Sequence, residues 1–363
     1  MKQEDMFAKF ADALVREIKL RADEISDETN TLYIGGGTPS VLPLYVYERL
    51  LETLSDVGHG GPYDEFTVEV NPEDIVDKGS DFVKGLLDLG VNRISMGIQS
   101  FDDGILKFMN RRHDAANARK AYAILEEAGV QNISIDLIFG LPQLSDAQWQ
   151  DTLDKALSIS PSGRLPQHIS SYQLSVEPGS MLAKLVEKGK WSEASDEICE
   201  KQYRMLCEAL QKAGYHHYEI SNFALPGFEA KHNSAYWKHI PYVGFGPGAH
   251  SYIIRSRTPN ASETGRNYRL WNEPDLERYL EDPTGCQDGE LLTDEQLVLE
   301  RIMLALRTAD GIPEDYLCEH CDQQELSRAL ASGNLAHLPD GNLRIPEERF
   351  FVSDMIVSDL CAG

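Results

Sequence analysis

Cysteine is scarce in this 363-residue chain, and it comes late: six residues, the first of them Cys199. So few thiols in a chain this long argue against a disulfide framework and for free cysteines. Cys318 and Cys321 form a single CxxC with no second pair, which is too little for a structural zinc site, so no metal-ligand set is expected. Long apolar runs are also missing, and the first residues hold no signal-type hydrophobic stretch. These absences predict a cytoplasmic protein with no integral membrane segment. Basic residues are in deficit: 34 Lys and Arg stand against 59 Asp and Glu, a net charge of −25. That balance disfavours nucleic acid and anionic membranes as partners. An anionic small ligand would need a local cluster of Arg, His or backbone N–H groups.

What the chain does have is an alternation of strand-like and helix-like segments up to about residue 175. Phe7, Phe10, Leu14 and Ile18 recur at helical spacing, with Arg16, Glu17 and Lys19 among the polar positions. Strands are expected at 31–35, 66–71, 93–100, 133–140 and 168–174. Helices are expected from after Pro43 to Asp56, after Pro72, over 115–127 and near 146–158. The strands are apolar on both faces, as in a parallel sheet covered by helices, so the fold class is α/β, either a barrel or a doubly wound sheet. Such a domain ordinarily opens on a strand, whereas this one opens on a helix. A polar connector at 282–290 leads to a small helical segment. From Leu291 onward that segment carries five basic against fourteen acidic residues, so a winged-helix shape is plausible there but DNA binding is not.

Polar residues gather where these strands end. "YIGGGTPS" bares three consecutive glycines, Gly35 to Gly37, which suit either a sharp turn or an N–H cradle for an anion or zwitterion. The spacing matches neither a dinucleotide fingerprint nor a P-loop. Glu69 and Gln99 sit at the ends of the next two strands, and Arg111, Arg112 and His113 follow in a loop. Asp136 lies within the apolar run "ISIDLIFGLP", where an unpaired carboxylate is costly. Together these positions predict one site on the C-terminal rim of a parallel barrel. Further along, "KHNSAYWKHIPYVGFGPGAHSY" is dense in His, Tyr, Trp and Gly, while His216 and His217 read as surface or packing residues.

In order and spacing, "YIGGGTPS", "VEVNPEDI", "GVNRISMGIQSFDDGILKFMNRRHD", "SIDLIFGLP" and "SYQLSVEPGS" resemble radical S-adenosylmethionine (SAM) proteins of the oxygen-independent coproporphyrinogen III oxidase group. "KHNSAYW" followed by "GFGPGAHSY" is more similar to the heme-chaperone branch of that group. The resemblance runs from about residue 7 to the C-terminus. It implies a TIM-like (β/α) radical-SAM barrel, here partial and lacking its first strand, over 1–175. A central region at 176–285 and a small helical, winged-helix-like C-terminal domain at 286–363 would follow. It also implies that Gly36, Gly37 and Thr38 hold the methionine part of SAM and that Glu69 accepts from its donors. Arg111 would take the carboxylate, Gln99 would bridge donors and acceptors, and Asp136 would accept from the ribose.

The branch's HNxxYW motif falls on His232, Asn233, Tyr236 and Trp237, which implies heme binding, with His250 a second ligand candidate. The bland alternative is aromatic packing around a satisfied histidine. The family's [4Fe-4S] cluster is held by a CxxxCxxC motif that this chain does not contain. The expectation is a natural protein that begins further upstream and carries the cluster loop there; the alternative is a natural loss of the cluster that leaves a binding module. A chain missing that strand would leave an unpaired sheet edge, so a homodimer is a possible assembly. The function implied is a heme chaperone that passes heme to a recipient hemoprotein, itself unidentified. The alternative is the oxidative decarboxylation of coproporphyrinogen III with SAM, and a third reading is an iron-free barrel enzyme acting on an unrelated small molecule.

Overall fold

The computed structural model describes residues 3–255 and 265–361. Helix α1 (Gln3–Leu20) is followed by strand β1 (Thr31–Ile34) and helix α2 (Leu44–Asp56). Strands and helices then alternate as β2 (Glu65–Val70), α3 (Pro72–Asp88), β3 (Arg93–Gln99), α4 (Asp103–Phe108), α5 (Ala115–Ala128), β4 (Ile133–Phe139), α6 (Asp146–Leu157) and β5 (His168–Gln173). Next come α7 (Met181–Glu187), α8 (Asp196–Lys212), β6 (His216–Glu219), β7 (Asn222–Ala224) and α9 (Lys231–Trp237). The chain continues through β8 (His250–Arg255), β9 (Arg266–Asn272), α10 (Leu276–Glu281), β10 (Gln287–Leu291) and α11 (Asp294–Ala305). The last elements are β11 (Ile312–Pro313), α12 (Glu314–His320), α13 (Gln323–Ala331), β12 (Ala336–His337), β13 (Asn342–Arg344) and α14 (Ser353–Cys361).

Seven strands form the partial (β/α) barrel sheet, in the order β1-β2-β3-β4-β5-β7-β6. Neighbours from β2 to β5 run parallel, while β7 pairs antiparallel with both β5 and β6. The chain divides into two compact units. One takes the residues up to Tyr33, Val41–Phe66 and Lys231–Ala305; the other takes Ile34–Ser40, Thr67–Ala230 and the chain from Leu306.

In the second unit the helix boundaries follow from local chemistry. Asn71 precedes α3, Pro72 stands in its first turn, and Glu73 and Asp74 complement its N-terminal dipole. Asp114 caps α5 by accepting from the Asn117 N–H, and Gly129 ends that helix in the left-handed conformation at φ 100°. Ser145 and Gln148 form a capping box on α6. Every residue of β3 is buried, and alternation decides which face each one takes. Ile94, Met96 and Ile98 on β3 and Ile133, Ile135 and Leu137 on β4 alternate with Arg93, Ser95, Gly97, Ser134 and Asp136. His217 is buried and stacks on Phe223 at 4.0 Å, whereas His216 is exposed beside Glu229. From Leu306 on the chain carries the helices α12, α13 and α14 and a small antiparallel sheet, β11-β13-β12, a mainly helical region as expected.

In the first unit β8, β9 and β10 make a three-stranded antiparallel sheet in the order β10-β9-β8. One expectation fails there. Glu17, grouped above with the polar positions of α1, is 0% exposed, while Arg16 and Lys19 do face solvent. Its carboxylate faces inward because four donors, from Arg21, Gly246, Asn272 and Tyr279, await it there, a tertiary arrangement that helical periodicity does not encode.

Candidate functional site

The second unit contains a cavity of about 240 Å³ at the C-terminal end of the parallel strands. Gly37, Thr38, Glu69, Gln99, Arg111 and Asp136 line it, all of them singled out from the sequence, together with Pro39, Val70, Asn71, Ser95 and Gly97. Gly36 is not part of the lining, but its N–H donates to Glu69 Oε2 at 2.9 Å and so ties the glycine turn to β2. Gly36 and Gly37 both take positive φ, 77° and 63°, and the space beside each Cα is open. Side chains are excluded there by backbone conformation, not by crowding.

The strand register sets the polar side chains next to one another. Glu69 pairs with Ser95 across β2–β3, and Asp136 pairs with Gly97 and with Ser170. Ser95 Oγ donates weakly to both Asp136 oxygens, at 3.2 and 3.4 Å. After Gly97 the register slips, and Gln99 sits at φ 69°, a left-handed conformation unusual for a side chain of this kind. A Cβ on Gly97 would lie 2.8 Å from the Gln99 amide nitrogen, so Gly97 leaves that amide its place.

Behind the glycine turn, Ser40 Oγ donates to Asp74 at 2.6 Å and accepts from the Asn71 N–H at 3.1 Å. The loop after α4 is held to the start of α3. Arg112 bridges Glu73 and Asp74 at 2.9 and 3.2 Å, and His113 contacts Glu73 at 3.2 Å and the Ile98 carbonyl at 3.0 Å. This anchoring leaves Arg111 to face the cavity. Burial holds the Arg111 guanidinium below its ordinary range, against the pull of Glu73 and Asp136.

Asp136 is the unusual acid. Burial first, then repulsion from Glu69, pushes its carboxyl up to about 6, against Arg93 and the Ser170 and Ser95 hydroxyls. A recessed carboxylate with weak hydrogen bonds fits a ligand that brings hydroxyl or amine donors. Arg111, Asn71 and Gln99 add the complementary donors, so the lining suits an amino-acid zwitterion joined to a ribose. If Asp136 must be ionised to accept, affinity for such a ligand (SAM, in the expectation from the sequence) should fall by about tenfold between pH 7 and pH 5 as the group protonates through about 6. Calorimetric titration of SAM at several pH values checks this, and Asp136→Asn should flatten the profile. Of the six cysteines none lines this cavity, so the residues present do not furnish a cluster site there, and no chemistry is assigned to one.

The HNxxYW residues lie on α9, in the first unit. This helix has seven residues; Glu65, at the start of β2 and 4% exposed, accepts from the Lys231 and His232 N–H groups at 2.7 and 3.1 Å. The His232 ring is held on three sides. Its Nδ1 is 2.9 Å from Thr31 Oγ1, its Nε2 is 2.9 Å from the Tyr236 hydroxyl, and Tyr33 stacks on its face at 5.1 Å. Tyr236 meets the ring edge-on at 5.0 Å and meets Tyr242 in the same way at 4.6 Å. Asn233 and Trp237 are half-buried on the same helix. His250 opens β8, exposed, opposite Trp271 in the register. Thr31, Tyr33 and Glu65 were not recognised as site residues, because they lie some 170 to 200 positions away and bear no local motif.

The profile of the radical SAM superfamily matches residues 6–156. The heme chaperone HemW of Synechocystis sp. is 34% identical over 325 residues, covering 89% of this chain and 75% of that protein. HemW of Bacillus subtilis is 33% identical over 293 residues, covering 80% and 73%. The mitochondrial radical S-adenosyl methionine domain-containing protein 1 of Danio rerio is 31% identical over 336 residues, covering 92% and 73%. Among solved structures, the Escherichia coli coproporphyrinogen III oxidase HemN, a radical SAM enzyme, superposes with a TM-score of 0.76 over 99% of this chain and 84% of its own, at 20% identity. That likeness is one of fold. The chain is therefore a radical SAM protein. Within that superfamily, the chain belongs to the heme chaperone HemW family.

Proposed function

We propose that this protein binds heme through His232 on α9 and passes it to a recipient hemoprotein, and that the cavity at the barrel rim binds SAM. The observation that carries the heme reading is the imidazole of His232, clasped between Tyr33 and Tyr236 on a helix that Glu65 fixes from β2. Imidazole is a common ligand of heme iron, and aromatic rings offer flat apolar contact to a macrocycle. SAM is supported by the donor and acceptor set of the cavity: Gly37 and Thr38 at the turn, Glu69, Gln99, Arg111 and Asp136. Membership of the radical SAM superfamily also implies an iron–sulfur cluster.

Hemin added to the purified protein should give a saturable Soret band at a one-to-one ratio. That band should move to a heme-free acceptor hemoprotein when the two are mixed and then separated by size. Coproporphyrinogen III with SAM and a reductant should release no carbon dioxide. Decarboxylation without stoichiometric hemin binding would overturn the chaperone reading in favour of an oxidase.

A further inference from the structure

Resting on that heme reading, we propose that Tyr236 is a latch on the iron-binding nitrogen of His232, and that Thr31 determines which nitrogen that is. Each ring nitrogen faces one hydroxyl at 2.9 Å, Thr31 at Nδ1 and Tyr236 at Nε2. A neutral imidazole has one donor and one acceptor nitrogen, so the two hydroxyls must play opposite parts. A phenol is a far stronger acid than an aliphatic alcohol and is the better donor to a basic nitrogen. Tyr236 therefore donates to Nε2, and Nδ1–H donates to Thr31 Oγ1.

This arrangement puts the accepting lone pair on Nε2, under the Tyr236 hydroxyl. Iron would bond through the same lone pair, and a lone pair engaged by O–H is not available to a metal. Heme capture must displace the phenol, and the returning phenol opposes rebinding when heme leaves. The other contacts hold the imidazole while the latch moves. Tyr33 is nearly parallel to the ring, at 17°, and Glu65 fixes the first turn of α9. The Nδ1–H bond to Thr31 also makes Nε2 a stronger ligand, as hydrogen-bond partners of metal-bound histidines do. Such a site binds heme firmly enough to carry it and weakly enough to give it up.

The experiment compares hemin affinity, Soret position and low-temperature EPR for the wild type, Tyr236→Phe, Thr31→Val, Thr31→Ser and His232→Ala. Tyr236→Phe keeps the ring and removes the latch, so hemin should bind about three- to tenfold more tightly, with the histidine-ligated spectrum unchanged. Thr31→Val should weaken binding by about tenfold and shift the spectrum, and Thr31→Ser should restore both. If Tyr236→Phe leaves affinity unchanged or lowers it while His232→Ala abolishes binding, the latch is wrong and the heme site stands. If His232→Ala binds hemin with the wild-type spectrum, His232 is not the ligand, and the latch and the ligand assignment fall together.

Discussion

Replacing Glu17 by alanine is expected to reduce the unfolding free energy by about 3–5 kcal/mol, the usual consequence of breaking a buried ion pair. Glu17 is fully buried and Arg21 is 4% exposed. One Glu17 oxygen accepts from Arg21 Nη1 at 2.7 Å and from the Asn272 amide at 2.8 Å. The other accepts from the Gly246 N–H at 2.8 Å and from the Tyr279 hydroxyl at 2.6 Å. Arg21 in turn donates to Glu24, to the Gly244 carbonyl and to Ser251, and its guanidinium lies 5.1 Å from the centre of the Phe245 ring. This one carboxylate therefore ties α1 to the glycine-rich loop before β8 and to α10.

Burial, with the Glu17 carboxylate beside it, holds the Tyr279 hydroxyl well above the usual phenol range, so Tyr279 stays a donor. In Glu17→Ala, four donors lose their acceptor while Arg21 stays buried. Urea denaturation of the variant against the wild type measures the loss. A change below about 1 kcal/mol would show that the site collapses or hydrates cheaply, contrary to the burial of the group.

The second large effect is expected in ligand binding. His232→Ala should weaken hemin binding by more than about a hundredfold, because loss of partners around a metal ligand alone costs ten- to a hundredfold and this change removes the proposed ligand itself. The Soret band of any residual complex should move toward that of weakly bound hemin. His250→Ala serves as the comparison. His250 is exposed on β8, with Trp271 opposite it and no clasp like that around His232, and its loss should change hemin affinity by less than about threefold.

The parallel strands were legible in the sequence almost to the residue. β3 is buried along its length and β4 at all but Asp136 and Ile138, and such largely apolar runs between turn residues have few other readings. The helix after Pro43 and the one ending at Gly129 were legible because proline and glycine punctuate them. The cavity lining could be foreseen at Glu69, Gln99 and Asp136, since polar residues in or at the end of apolar strands are conspicuous. Ser95 and Gly97 passed unnoticed because small residues carry no such contrast, although both share the strand face of Gln99's neighbours. Their period-two spacing along β3 was the available signal.

The surroundings of His232 were not legible for a different reason. α9 is too short to show periodicity, and the groups that hold its histidine arrive from β1 and β2. The antiparallel strands β6, β7, β9 and β10 are short or polar, so alternation did not separate them from loops. Glu17 shows the same limit. In a helical pattern it occupies an ordinary polar position, and only the folded loop around Gly246 reveals that position as interior.

The most direct test of the account titrates hemin and SAM separately into three proteins: the wild type, His232→Ala and Arg111→Ala. His232 belongs to the first compact unit and Arg111 to the second. The account predicts that His232→Ala loses hemin and keeps SAM, while Arg111→Ala keeps hemin and binds SAM at least about tenfold more weakly. A His232→Ala protein that still takes up hemin with wild-type affinity and spectrum would contradict it.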